Sequence, residues 1–90
     1  MIVGEIYYSR RFEKQFCTLP EHIQKRAIVA EDQFRENPLH SSLRLHQLKG
    51  ELHGLWSLSI NLTYRIILKR KDGGAILFVS IGKHDLYKAL

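Results

Sequence analysis

The segment LRLHQLKGELHG (residues 43–54) divides this chain of 90 residues into two halves of different character. Apolar residues before it recur at helical spacing, whereas those after it alternate as they do in β-strands. A connector between two such halves usually needs only turn residues. This one also carries two histidines, an arginine and a lysine, which can transfer protons and bind phosphates. The segment therefore predicts the boundary between helices and sheet, and also one wall of a functional site.

The half before the connector predicts a strand and then two helices. Residues 2–8 are rich in β-branched and aromatic side chains, which favour a strand. Ser9 is a good N-cap for a short helix, and Pro20 both ends that helix and suits the first turn of the next. The second helix is expected to run from about Pro20 to Glu36. Its buried stripe has helical spacing and consists of Ile23, Ala27, Ala30 and Phe34.

The half after the connector predicts three strands in hairpin order, at residues 55–60, 64–70 and 75–81. The first two alternate between apolar and polar residues, and the third is almost continuously apolar, as in a central strand covered on both faces. Residues 71–74, Lys-Asp-Gly-Gly, predict a hairpin turn because glycine accepts positive φ. Gly82 is expected to break the last strand. The final residues, 84–90, predict a short helix or an ordered tail.

These elements predict an α+β fold in one small domain spanning residues 1–90. The N-terminal strand and a two-helix hairpin are expected to pack on a mostly antiparallel, twisted, four-stranded sheet. The face of the sheet away from the helices is expected to be polar and to carry Ser57, Ser59, Arg65 and Lys69.

Three features of the composition bear on the compartment. No apolar run approaches the ~20 residues that span a bilayer. The N-terminal residues lack the basic and long apolar regions of a signal peptide. The single cysteine, Cys17, cannot form an internal disulfide. We therefore expect a protein of the reducing cytoplasm.

The formal charge of +5 is placed unevenly along the chain. Residues 1–43 carry six basic and six acidic residues, and residues 44–90 carry eight basic and three acidic residues. The whole net charge therefore lies in the connector and the strands, which suggests that a polyanion binds there. On charge alone, a solvated basic surface that binds nothing explains the pattern equally well.

Three residues could combine into a site for phosphodiester transfer. His46 enters from the connector, Arg65 lies on the second strand of the predicted sheet, and His84 follows the end of the last strand. One imidazole can remove a proton from a hydroxyl, the other can protonate the leaving oxygen, and a guanidinium can stabilise charge on the phosphate. No cofactor or metal is needed if the nucleophile is the 2′-hydroxyl of RNA itself.

These residue types also have common roles outside catalysis. A histidine in a small basic protein is more often a surface group than a catalytic one. The five histidines lack the spacing of a metal site, since none lies three or four residues from another. Trp56 and the phenylalanines are better explained as core than as a surface on which bases stack. His53 is interpreted as a turn residue beside Gly54.

The chain resembles the RelE/ParE superfamily of bacterial type II toxins, most closely the RelE/YafQ-like branch of mRNA interferases. The matching segments cover nearly the whole chain in order: YSRRFEKQF (8–16), LP (19–20), NPL (37–39), LRLHQLKG (43–50), WS (56–57), YR (64–65) and IGKHDLY (81–87). No single segment is diagnostic, and the specificity comes from their combination.

The resemblance implies a toxin that cuts mRNA on the translating ribosome and is silenced by a cognate antitoxin. It implies that His46 and His84 are the acid/base pair and that Arg65 contacts the scissile phosphate. Tyr87 would orient or stack on a base, and the RNA backbone would be held by Arg44 and Lys49, together with Lys69 and Lys83. Ser59 and Thr63 stand where some relatives have a histidine and an aspartate, so this site would depend on two histidines and an arginine.

Two other functions are compatible with the sequence. A ParE-like toxin with the same fold would inhibit DNA gyrase through protein contacts, without a ribonuclease site. A non-catalytic RNA-binding module would depend on the basic residues and would not need His84.

Overall fold

The structure is a computed structural model that describes residues 1–83, and it confirms the α+β fold. The elements follow one another as β1 (Ile6–Tyr8), α1 (Arg10–Thr18), α2 (Glu21–Glu36), β2 (His46–Gln47), β3 (Leu55–Ser59), β4 (Tyr64–Arg70) and β5 (Ile76–Lys83). The predicted C-terminal helix or tail, with His84 and Tyr87, lies outside the described residues.

The sheet has five strands in the order β1-β5-β4-β3-β2, so the prediction of four strands was wrong by one. β1 runs parallel to β5, and the other neighbouring pairs are antiparallel. The additional strand is β2, which lies inside the connector. His46 pairs with Ser57 and Gln47 with Trp56, so part of the connector forms an edge of the sheet.

The predicted start and end signals operate in both helices. The Ser9 hydroxyl accepts a hydrogen bond from the backbone N–H of Phe12 at 3.0 Å, which caps α1. Pro20 is the N-cap of α2, and Asn37 is its C-cap. The described helices include none long and apolar enough to cross a membrane.

One face of the sheet, called the helical face here, packs against α1 and α2. Two cross-strand rows supply it: Trp56, Leu68 and Phe78 in one, and Leu58, Ile66 and Ile81 in the other. From the helices, Phe12, Ala27, Ala30 and Phe34 pack against these rows. The predicted stripe of α2 is buried at all four positions. The core thus lies between the helices and one face of the sheet.

Two strand boundaries differ from the prediction by more than one residue. β1 begins at Ile6 rather than at Ile2, because parallel pairing with β5 starts only at Ile6 and Ile76. Before that, Gly4 donates one hydrogen bond to the carbonyl of Gly74 at 2.8 Å. At the other end of the sheet, Gly82 does not break β5, since it pairs with Arg65 on β4.

The face of the sheet opposite the helical face was predicted to be a polar surface, and this is only partly correct. Ser57 and Ser80 are buried and lie in one row with Ile67, which is also buried. Ser59 is buried as well, and Arg65 is half-buried. Alternation assigns a residue to a face of the sheet, but it does not measure how much solvent reaches that residue.

Candidate functional site

The opposite face carries two cross-strand rows that contain the candidate catalytic residues. His46, Ser57, Ile67 and Ser80 form one row, because each is paired with the next across β2, β3, β4 and β5. The adjacent row contains Ser59, Arg65 and Gly82. Residues directly opposite each other project from the same face of a sheet. His46 and Arg65 therefore belong to the same face, as the sequence predicted.

His46 and Arg65 lie on this face with β3 between them, and they do not form a hydrogen bond with each other. Their rows lie two residues apart along the strands, and their strands lie two positions apart in the sheet. With strands ~4.8 Å apart and a rise of ~3.3 Å per residue, the two Cα atoms are about 12 Å apart. That span leaves room for a phosphodiester between an imidazole and a guanidinium.

The imidazole of His46 is exposed and has a defined hydrogen bond. Its Nδ1 lies 2.9 Å from the backbone carbonyl oxygen of Arg44. A carbonyl oxygen can only accept, so Nδ1 is the donor and carries the hydrogen. In the neutral ring, the lone pair is then at Nε2. His46 can therefore accept a proton at Nε2.

The guanidinium of Arg65 is held by the turn between β3 and β4. Its Nη1 donates to the carbonyl of Asn61 at 2.6 Å and to the carbonyl of Tyr64 at 3.0 Å. A guanidinium has five N–H donors, and these two bonds use only those on Nη1. The donors on Nε and Nη2 suit the oxygens of a phosphate, which arginine can bind in a bidentate manner.

Asn61 was not among the predicted site residues, although it organises this turn. Its side-chain oxygen accepts hydrogen bonds from the backbone N–H groups of Thr63 at 2.9 Å and Tyr64 at 2.8 Å. Its backbone carbonyl accepts from Arg65. An asparagine placed just before a two-residue turn was the available signal in the sequence, since asparagine commonly forms turns of this kind.

The candidate RNA-binding residues are only partly brought together. Lys69 pairs with Leu55, is exposed and follows Ile67 on the same face by alternation. Lys49 is exposed in the connector, just before the short 3₁₀ turn at Gly50–Leu52. Lys83 pairs with Tyr64, which packs against the core on the helical face. The structure therefore does not place Lys83 on the face that carries His46.

Arg44 is exposed, and it borders a cleft of about 720 Å³ between α2 and the β3–β4 turn. The cleft also contains Arg26 from α2 and Asn61 from the turn. Leu43, just before Arg44, is buried, and Leu45 packs against the core. These two leucines anchor the connector to the core, and they keep Arg44 and His46 at the surface.

The remaining predicted site residues, His84 and Tyr87, lie outside the described residues. Lys83, the last residue of β5, immediately precedes His84. His53 is exposed and ends the 3₁₀ turn at Gly50–Leu52, as its interpretation as a turn residue predicted. Within residues 1–83 there is no group of three or more His, Cys, Asp or Glu residues that could hold a metal ion.

Comparison with protein-family models and with curated proteins gave no match. Solved structures do match over nearly the full chain. YafQ from Escherichia coli strain BL21(DE3) superposes with a TM-score of 0.76 at 18% identity, covering 92% of this chain and 96% of YafQ. The RelB–RelE antitoxin–toxin complex from Methanococcus jannaschii gives a TM-score of 0.71 at 23% identity, covering 93% of this chain and 98% of the other.

A third structure, described as a YoeB/ParE toxin from Agrobacterium tumefaciens, gives a TM-score of 0.75 at 13% identity. It covers 90% of this chain and 99% of its own length. Identities this low carry the fold and not the activity. The chain therefore has the fold shared by the YafQ, RelE and YoeB/ParE toxin structures.

Proposed function

We propose that this chain is a single-domain toxin of a type II toxin–antitoxin system that cleaves mRNA on the ribosome in the cytoplasm. The observation that carries the proposal is the placement of His46 and Arg65 on one face of this fold. His46 presents Nε2 as a proton acceptor, and Arg65 is fixed by two carbonyls with donors left for a phosphate. This pair supplies two of the three groups that metal-independent RNA cleavage requires.

The proposed reaction is an attack by the 2′-oxygen of a ribose on the adjacent phosphorus. Nε2 of His46 takes the proton of the 2′-hydroxyl as the bond between the 2′-oxygen and phosphorus forms. The bond between phosphorus and the 5′-oxygen breaks, and that oxygen takes a proton from His84. The products are a 2′,3′-cyclic phosphate and a 5′-hydroxyl. Arg65 stabilises the negative charge that grows on the non-bridging oxygens.

The RNA backbone is proposed to lie across Arg44, Lys49 and Lys69, with Tyr87 orienting a base. Each of these three cations is exposed, which suits contact with phosphates. Lys83 belongs to the helical face, so it is proposed to contact only RNA that passes the end of the sheet. Ser59 is buried beside Arg65 and Thr63 is exposed in the turn, so neither replaces the acid/base groups of relatives that have histidine and aspartate there.

The proposed partner is a cognate antitoxin, as in the RelB–RelE complex whose fold this chain shares. An antitoxin segment that is acidic or amphipathic and folds on contact suits the basic second half of the chain. It would block cleavage by covering the opposite face or by displacing the residues that follow β5.

The proposal is tested by inducing the chain in bacteria and mapping mRNA 5′ ends, with and without an inhibitor of translation initiation. We expect new ends inside translated regions, and we expect them to disappear when ribosomes are cleared from the message. His46→Gln and Arg65→Ala should remove them. Growth arrest with uncut messages would contradict the proposal.

A second candidate function is inhibition of DNA gyrase, because one structure with this fold is described as a YoeB/ParE toxin. The fold alone does not separate the two activities. A gyrase inhibitor would induce the DNA-damage response, leave mRNA intact and tolerate His46→Gln. The defined hydrogen bond of His46 favours the ribonuclease, since an inhibitor that acts through protein contacts has no use for an oriented imidazole.

A further inference from the structure

Arg44 has an unusual backbone conformation immediately before the candidate catalytic histidine. It is the only non-glycine residue with positive φ in the described part of the chain, at φ 46° and ψ 41°. A residue with a β-carbon is disfavoured in this left-handed region by roughly 1–2 kcal/mol. Its N–H closes the short 3₁₀ turn Ser41–Leu43 by donating to the carbonyl of Ser41 at 3.3 Å. Unfavourable backbone conformations persist where the surrounding structure requires them, and they often occur at functional sites.

The conformation of Arg44 has a direct effect on His46. The left-handed turn brings the carbonyl oxygen of Arg44 to 2.9 Å from Nδ1 of His46. Pairing of His46 with Ser57 fixes the backbone on the other side of this contact. The ring therefore has its Cα fixed by the sheet and its Nδ1 fixed by a carbonyl, which leaves Nε2 as the exposed nitrogen.

A second histidine, His40, lies just before the connector and shows that a nearby histidine need not adopt the Nδ1–H tautomer. Nδ1 of His40 accepts a hydrogen bond from the backbone N–H of Ser42 at 3.2 Å, and the Ser42 hydroxyl, which can also donate, lies 2.7 Å from the same nitrogen. An Nδ1 that accepts from this N–H carries the lone pair, so in the neutral ring of His40 the hydrogen is at Nε2. His40 and His46 thus adopt opposite tautomers, set by Ser42 in one case and by the carbonyl of Arg44 in the other.

We propose that Arg44 is a positioning residue whose backbone, rather than its side chain, holds His46 in the Nδ1–H tautomer with Nε2 ready to accept a proton. The tautomer of a catalytic histidine is set by the hydrogen bond that its other nitrogen makes. Arg44 then has two roles, one for its side chain and one for its backbone. The guanidinium of Arg44 contacts RNA, and the backbone carbonyl of Arg44 orients His46, the general base. The effect of this orientation on catalysis rests on the proposed ribonuclease activity, whereas the orientation itself does not.

Two substitutions separate the functions of Arg44. Arg44→Gly and Arg44→Val both remove the guanidinium. Glycine adopts the left-handed conformation without cost, whereas a β-branched residue strongly disfavours it. The carbonyl should therefore stay in place in Arg44→Gly and move away in Arg44→Val. Because both variants lose the same charge, any difference between them reports on the backbone.

The direct readout is the ¹⁵N spectrum of the histidine side chains in the purified chain at about pH 8.5, where an imidazole is neutral. We expect His46 to show the Nδ1–H pattern and His40 the Nε2–H pattern, with His46→Gln providing the assignment. Arg44→Gly should keep the pattern of His46. Arg44→Val should shift it toward the Nε2–H form that free histidine prefers, while His40 stays unchanged.

The proposal is overturned if His46 of the wild type shows the Nε2–H pattern, or if folded Arg44→Val keeps the Nδ1–H pattern. Should Arg44→Val fail to fold, the wild-type and Arg44→Gly spectra still decide, because both must show the Nδ1–H form. These spectra need no RNA. A correct tautomer in a chain that does not cleave RNA would refute the proposed function and leave the positioning role intact.

Cleavage adds a kinetic test. We expect both variants to raise KM by a similar factor, because both lose one phosphate contact. Only Arg44→Val should also lower kcat, by about tenfold to a hundredfold, which is part of the 10²–10⁴ that a general base typically contributes. Equal kcat values in the two variants would contradict a positioning role for the backbone.

Discussion

At the scale of single residues, both described candidate catalytic side chains are oriented by backbone carbonyls. Nδ1 of His46 is bound by Arg44, and Nη1 of Arg65 is bound by Asn61 and Tyr64. Each contact occupies one part of the side chain and leaves another part for substrate. A guanidinium or an imidazole without such a contact would lose side-chain conformational entropy when it bound RNA. These carbonyls therefore preorganise the site.

For Arg65, we predict that Arg65→Ala lowers the cleavage rate by about 10²–10³-fold, the usual cost of removing one transition-state donor. Arg65→Lys should recover only part of this loss, because a lysine cannot bind a turn carbonyl and a phosphate with the same planar group. The measurement is single-turnover cleavage on ribosomes that carry a defined message.

Arg70 provides the matched control for Arg65 on the same strand. It pairs with Ile76, and its guanidinium lies 6.0 Å from the ring centre of Trp56. Arg70→Ala should cleave at nearly the wild-type rate. An Arg65→Ala protein that cleaves as fast as the Arg70→Ala protein would remove Arg65 from the mechanism.

The face of the sheet that carries Arg65 could be predicted from the sequence, but the hydrogen bonds that orient the candidate side chains could not. Histidine and arginine in a basic half indicated phosphate chemistry, and the alternation of β4 assigned Arg65 to the correct face. The left-handed backbone of Arg44 carries no such signal, because the usual residue for that conformation is glycine. Alternation along β5 alone would put Lys83 on the opposite face, but a β-bulge between Ile67 and Leu68 shifts the register of β5 and puts it on the helical face.

At the scale of elements, β5 depends on α1 where β1 no longer pairs with it. β1 ends at Tyr8, opposite Phe78. Beyond that point, the side-chain oxygen of Gln15 accepts hydrogen bonds from the Ser80 hydroxyl and the Ile81 N–H, both at 2.9 Å. Ser80 and Ile81 are each about 1% exposed, so water cannot replace this acceptor. The end of β5, which leads to His84, is therefore secured by β4 on one edge and by Gln15 on the other.

We predict that Gln15→Leu lowers the free energy of unfolding by about 1–3 kcal/mol, because it leaves a buried N–H without an acceptor. Gln15→Glu keeps an acceptor and should lose less. Urea unfolding measures both, and the exchange of the Ile81 amide hydrogen should accelerate in Gln15→Leu. The exposed Gln47 is the control, for which a leucine substitution should stay within about 0.5 kcal/mol. Equal midpoints for Gln15→Leu and Gln47→Leu would refute the role of Gln15.

A hydrogen bond between Tyr8 and Glu31 joins β1 to α2. The Tyr8 hydroxyl donates to both carboxylate oxygens, at 2.7 Å to Oε2. Partial burial of the ring and the nearby Glu31 carboxylate raise the pKa of Tyr8 above its usual value of 10.0. The folded chain therefore holds the phenol proton more tightly than the unfolded chain does.

Because the pKa of Tyr8 is raised in the folded state, its hydrogen bond to Glu31 stabilises the fold fully below about pH 10. This stabilisation is lost as the pH rises further. We predict that Tyr8→Phe lowers the free energy of unfolding by about 1 kcal/mol at pH 8, as expected for one partly exposed hydrogen bond. The loss should shrink above pH 10. Denaturant unfolding at pH 8 and pH 11 tests this, and a loss that grows with pH would contradict the assignment.

Long elements were predictable from the sequence, and the shortest strand was not. The stripe of α2 and the alternation of β4 each extend over several residues and therefore give clear signals. β2 consists of two residues, too few for any period, and it exists only because β3 offers an edge for pairing. Gly82 was expected to end β5, but cross-strand pairing with Arg65 outweighs the weak intrinsic preference of glycine for strands.

At the scale of the whole molecule, the helical half is neutral and the sheet half carries the positive charge. This division coincides with the layers of the fold, since α1 and α2 cover the helical face of the sheet, whereas β2 to β4 carry the candidate residues His46, Arg65 and Lys69. Phosphate contacts release counterions, so each contact should contribute about 0.7 to the slope of log affinity against log salt for single-stranded RNA.

We predict that charge reversal at Arg44, Lys49 or Lys69 weakens binding of a short single-stranded RNA. It should also reduce the magnitude of the slope of log affinity against log salt. Lys14→Glu, on α1, is the control and should leave the slope unchanged. Titrations at several salt concentrations measure the slopes. If the Lys14 variant changes the slope as much as the Lys69 variant does, the RNA does not lie on the opposite face.

The chemistry of the cut ends tests whether His46 performs RNA cleavage on the opposite face of the sheet. Purified chain is added to translating ribosomes with a defined message, and the fragments are analysed for terminal phosphates. We expect a 2′,3′-cyclic phosphate on the upstream fragment and a 5′-hydroxyl on the downstream fragment, with His46→Gln giving neither. A 5′-phosphate on the downstream fragment, or wild-type rates from His46→Gln, would contradict this expectation.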